Sequence, residues 1–167
     1  MTAVDQRPPI KNPIRAKRGT PQAPWADVAG FKELLIRELQ VESSAMLLDP
    51  HYAYPRGITM LDARLGLILT LEDSVFQETP GGRLSAEIDD WSVEKIKRAG
   101  GDAVKVLAWY RPDASATVNA AQHDFVLLGG RNAELGGNVL GRLQHRVPAE
   151  RVAAEIVHHP VFGRAGA

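Results

Sequence analysis

The sequence has 167 residues, no cysteine, 44% apolar and 24% charged residues, and 20 basic groups balanced by 20 acidic ones. This length implies one domain able to bury roughly 70% of its unfolded surface; the lack of cysteine rules out a disulfide framework and fits a reducing, cytoplasmic setting. Zero net charge removes the global electrostatic case for nucleic acid or acidic membranes, no run reaches the ~18 apolar residues of a membrane span, and a full eight-stranded α/β barrel usually takes ~250 residues.

In chain order, Thr2-Ala3-Val4 reads as a short strand running into Asp5-Gln6-Arg7. Pro8, Pro9 and Pro13 then predict a loop over 8–26. Val28, Phe31, Leu35 and Leu39 recur at helical spacing, with Leu34 widening the stripe and Asp27 as the expected N-cap. Ser44–Leu48 is a buried strand stopped by Asp49-Pro50. A short helix over 55–63 precedes a third apolar run, Gly66–Leu71, that ends at Glu72-Asp73. Thr79-Pro80-Gly81-Gly82 signals a loop. A helix over 92–99 stops at Gly100-Gly101, Ala103–Trp109 is the fourth strand, and 114–128 is an amphipathic helix with Val118, Ala121, Phe125 and Leu128 on its stripe.

Strand and helix alternate four times, which predicts a parallel sheet with helical crossovers. Ligands in such sheets sit at the carboxyl ends of the strands, here Asp5, Gln6, Asp49, Glu72 and Asp73. From residue 129 the composition changes. The last 39 residues hold seven glycines and five arginines but no lysine, and no apolar run there resembles a fifth core strand. Gly129-Gly130 and Gly136-Gly137 interrupt any helix, and 149–157 is at most a weak one.

Lys105 is the most informative residue, because an ammonium in an apolar strand must be paired or neutralised. It is either an edge lysine reaching solvent, a cation for a phosphate, or an amine for a Schiff base. Asp5, Gln6 and Arg7 have the chemistry to orient a polyhydroxylated phosphate ester, or a structural role. Asp49 and Glu72 read better as caps than as acid–base groups. Pro80-Gly81-Gly82-Arg83 lacks the spacing of a nucleotide loop and reads as a turn. His158-His159 lacks zinc-ligand spacing, and no Gly-x-Ser-x-Gly elbow is present. Residues 1–20 carry five basic groups against one acid, and 71–94 carry seven acids against Arg83; both runs read as solvated faces, the alternative for the basic one being an anion site near the first strand.

Several segments together carry a resemblance: Ala3–Arg7, Ser44–Pro50, Gly82-Arg83-Leu84, Trp91–Lys97 and Gly101–Val106. Over residues 2 to about 126 the chain resembles the N-terminal half of the class I tagatose-1,6-bisphosphate aldolases, a group that includes sulfofructose-phosphate aldolases. The resemblance implies about four β/α units of a TIM (β/α)8 barrel over 1–128, followed by an irregular, unmatched tail over 129–167. It implies metal-free and cofactor-free cleavage of a ketose bisphosphate into dihydroxyacetone phosphate and an aldehyde phosphate, through a lysine Schiff base with a glutamate moving protons. It also implies that Asp5, Gln6 and Lys105 contact substrate, with Lys105 an auxiliary cation. The family's catalytic glutamate and Schiff-base lysine belong to its fifth and sixth strands, which this sequence does not show, so no catalytic residue is assigned. The tail has the composition of an out-of-frame reading of a GC-rich gene, and the start looks clipped. The expected chain is therefore truncated and inactive, either aggregation-prone or a homo-oligomer that covers its open edges; the alternative is a non-catalytic sugar-phosphate-binding module.

Overall fold

The computed structural model of the protein describes residues 1–134 and 138–143. Its centre is a parallel sheet of five strands, β1 (Thr2–Ala3), β2 (Ala45–Leu48), β3 (Gly66–Thr70), β6 (Ala103–Ala108) and β7 (Asn138–Leu143), in that spatial order. An antiparallel hairpin, β4 (Gln77–Thr79) and β5 (Gly82–Leu84), lies between β3 and β6 in sequence. Its turn is the Pro80-Gly81 step, so the Gly-rich segment is a turn, as its spacing suggests. Gly82 has a φ of 133°, and a Cβ there would lie 3.2 Å from Val118.

The helices are α1 (Pro8–Arg18), α2 (Trp25–Leu39), α3 (Pro50–Ala53), α4 (Arg56–Thr59), α5 (Val93–Arg98) and α6 (Ala116–Glu134). One sheet face is purely apolar: Met46, Leu48, Leu67, Leu69, Leu71, Val104 and Val106 pack against Ile36, Ile96 and Phe125 of the covering helices. Burying such side chains contributes roughly 1.5–3 kcal/mol each. The opposite face carries a smaller cluster of Leu47, Ile68 and Ala103.

The structure departs from the sequence pattern at both ends of the chain. Residues 8–18 form α1 rather than a loop, because Pro8 and Pro9 occupy the first turn, where an N–H would have no helical partner. Pro13 costs one internal bond, yet α1 is closed by Gly19 in the left-handed conformation and tied to α2 by two bonds from Arg18 to Asp27, at 2.6 and 3.0 Å. Asp27 therefore lies inside the first turn of α2 and is not its cap. The buried stripe of α2 is Val28, Ala29, Lys32 and Ile36, while Phe31, Leu34 and Leu39 are exposed. The helix is rotated from its apolar pattern because a lysine is drawn inward.

At the other end, α6 runs through Gly129-Gly130 to Glu134. Gly129 is buried, and a Cβ there would sit 2.8 Å from a Val106 methyl, so its missing side chain lets α6 approach β6. Gln122 rather than Ala121 is buried on that helix. A fifth strand, β7, then pairs in parallel with β6 from Ala103↔Asn138 to Ala108↔Leu143. Backbone bonding, which does not depend on an apolar sequence, makes this strand, so hydrophobic patterning missed it. The expected weak helix over 149–157 and the pair His158-His159 lie outside the described residues.

Candidate functional site

Strand register builds the site. Ala3 pairs with Leu47, Leu47 with Ile68, and Ile68 with Ala103. Side chains alternate between faces, so two residues further along each strand places Asp5, Asp49, Thr70 and Lys105 at one level on one face. Glu72 lies one step beyond Thr70 with the same parity. The apolar layer of Leu47, Ile68 and Ala103 thus gives way, at the carboxyl ends of the strands, to a layer of charged and polar groups.

Lys105 is central. It is flanked by β3 and β7, so it is not an edge residue. Its ammonium donates to Asp5 Oδ2 at 3.1 Å and is ion-paired with Glu72 Oε1. The lysine side chain is 11% exposed and Asp5 15%, whereas Glu72 is 3% exposed and forms the inner wall. Arg7, also buried, donates to the Glu72 carbonyl at 2.6 Å and lies 3.7 Å from Asp73. Two cations and three carboxylates thus alternate across the ends of β1, β3 and β6.

A second pair sits beside the first. Lys32, on α2, is 1% exposed and ion-paired with Asp49, which is 0% exposed. Lys32 also donates to the Val4 carbonyl at 2.7 Å. Burial lowers the Lys32 pKa, with Asp49 acting against that shift. Asp49 caps α3 by accepting from the Tyr52 amide at 3.1 Å, so its expected capping role holds, and it is also half of a buried ion pair. Glu72, read as a cap, caps nothing: it belongs to the Lys105 cluster.

Of the residues singled out from the sequence, Asp5 and Lys105 meet directly across 100 positions of chain. Gln6 is exposed, and its side chain joins no hydrogen bond among the described residues. Lys32 escaped sequence reasoning, although a lysine at the middle of the Val28, Lys32, Ile36 series at intervals of four was the available signal. Around Lys105, Glu72 is sealed while Asp5 and Lys105 keep some accessible surface. They can exchange part of their mutual contact for a phosphate oxygen on the lysine and a sugar hydroxyl on the carboxylate.

No protein-family model matches the chain. Individual relatives do. Tagatose 1,6-diphosphate aldolase 2 of Enterococcus faecalis is 38% identical over 133 residues, covering 79% of this chain and 39% of that protein. The tagatose 1,6-diphosphate aldolases of Listeria monocytogenes and Streptococcus pneumoniae are 38% and 36% identical over 124 residues, or 74% of this chain. The chain spans between 36% and 39% of the length of these curated relatives. Among solved structures, a Schiff-base-forming fructose-1,6-bisphosphate aldolase superposes with a TM-score of 0.55 at 14% identity, over 89% of this chain and 55% of that one. An archaeal fructose 1,6-bisphosphate aldolase gives 0.53 at 15% identity, over 89% and 54%. At those identities the likeness is one of fold, and it makes the open parallel sheet part of a TIM-barrel architecture. Over about three quarters of its length the chain is thus similar to the tagatose 1,6-diphosphate aldolases, matching rather more than a third of each.

Proposed function

We propose that this chain provides a sugar-phosphate-binding portion of a class I aldolase site, of the kind that splits a ketose bisphosphate into dihydroxyacetone phosphate and an aldehyde phosphate in the cytoplasm. Asp5, Gln6 and Lys105 contact the substrate. Lys105 serves as a cation for a phosphate or a hydroxyl, Asp5 accepts from a hydroxyl, and exposed Gln6 is free to turn toward the ligand.

The observation that carries this reading is the position of Lys105 between Asp5 and Glu72. A Schiff base requires an amine free to attack a carbonyl, whereas the Lys105 nitrogen is engaged by both carboxylates. Lys32, the other buried lysine, is enclosed behind Asp49 and the Val4 carbonyl, beyond the reach of a carbonyl substrate. The described residues are therefore equipped to bind rather than to cleave, and we propose that alone they are inactive. The non-catalytic binding module is the same site without the chemistry. A homo-oligomer that covers the exposed edge of β1 accompanies this reading.

Thermal melting with millimolar dihydroxyacetone phosphate tests the site. The intact chain is expected to gain stability with ligand concentration, and Lys105→Met, destabilised by the buried Glu72 it leaves unpaired, to show no such gain over its own ligand-free melt. No shift in the intact chain, or an equal shift in the variant, sinks the assignment.

A further inference from the structure

β1 pairs with β2 over only two residues, Thr2↔Met46 and Ala3↔Leu47, and it is the outer strand of the sheet among the described residues. Past Ala3 the ladder adds one more bond, from the Val4 amide to the Leu47 carbonyl at 2.7 Å. Asp5 follows immediately, and it must stand 3.1 Å from Lys105 on β6, with β2 and β3 between their strands. A two-residue outer strand does not by itself fix the direction of the chain that leaves it.

The Val4 carbonyl receives its bond from a side chain instead. Lys32 Nζ reaches it at 2.7 Å from α2, and the same nitrogen is ion-paired with Asp49 at the end of β2. Asp49 is in turn anchored by the Tyr52 amide at 3.1 Å, and the Lys32 ammonium lies 5.9 Å from the Tyr52 ring centre. One buried cation thus joins the ends of β1 and β2 to the covering helix, one residue before Asp5.

We infer that Lys32 is a positioning residue for the sugar-phosphate site, fixing Asp5 against Lys105 by holding the Val4 carbonyl to Asp49. This inference rests on the reading of Asp5 and Lys105 as that site. Lys32 touches no substrate and acts entirely through the backbone of Val4. A purely structural ion pair would matter to folding and not to ligand affinity once the fold is secured.

The test separates these roles with Lys32→Met/Asp49→Leu, which removes both charges together. Apolar replacement of a whole buried pair is neutral or stabilising in other proteins. The double variant, which also loses the Asp49 cap on Tyr52, is expected to melt below the parent but well above Lys32→Met alone, and to bind dihydroxyacetone phosphate about tenfold more weakly, as expected for a displaced contact. Lys32→Arg provides a second reading should the double variant not fold. It keeps a charge opposite Asp49, but its bulkier planar fork replaces the compact ammonium seated between the two acceptors, and it too is expected to bind more weakly. Parental affinity in either folded variant overturns the inference. If Lys105→Met binds as tightly as the parent, or the parent does not bind, the site itself is wrong and the inference falls with it. Weakened binding in a folded variant, together with loss of binding in Lys105→Met, supports both.

Discussion

At the scale of single residues, the two buried lysines have different neighbours and different consequences. Lys105 retains accessible surface between Asp5 and Glu72, whereas Lys32 is sealed with Asp49. Removing Lys32 alone strands a carboxylate in the interior, so Lys32→Met is expected to cost about 3–5 kcal/mol, far more than the double variant with Asp49→Leu. Urea titration of the two proteins gives the comparison. The same lysine gives a pH dependence. Burial lowers its folded pKa below the ordinary 10.5, so the folded chain releases the proton first and the unfolded chain binds more protons between the lowered value and 10.5. Stability from this group is therefore fully present above 10.5 and is lost as pH falls through the lowered value. The parent is expected to gain on the double variant between pH 8 and pH 10 in chemical denaturation. An unchanged difference would show that the two states hold this proton equally.

At the scale of elements, what was legible in the sequence follows what drives each element. β2, β3 and β6 are made by apolar runs, α5 by the Ser92 cap and its glycine stop, and all four were legible within a residue or two. α1 was hidden because the prolines that forbid a helix interior are harmless in its first turn. The rotation of α2 was hidden because Lys32 is buried by a partner 17 positions away, which no local pattern reports. The continuation of α6 was hidden because two glycines read as a stop, whereas Gly129 serves contact with β6. That contact is testable. Gly129→Val would drive a branched side chain into the Val106 methyls 2.8 Å from the new Cβ, with an expected cost of about 1–3 kcal/mol. A thermal melt equal to that of the parent would show that α6 can slide away from the sheet without loss.

At the scale of the molecule, parallel register is what turns scattered residues into a site. Asp5, Glu72 and Lys105 are distant in sequence, and each follows or interrupts an apolar run. The sequence marked Asp5 and Lys105 as candidates through their strand positions, and the family resemblance supplied their shared purpose. Their 3.1 Å contact and the inner wall of Glu72 come only from the order β1-β2-β3-β6 and its register. The relatives extend well beyond the matched segment, and the described sheet is open at β1. The most direct measurement is borohydride reduction in the presence of dihydroxyacetone phosphate, followed by peptide mass mapping. No covalent adduct on Lys105 is expected, since its nitrogen is engaged by Asp5 and Glu72. A reduced adduct mapped to Lys105 would contradict the central claim and make it the nucleophile.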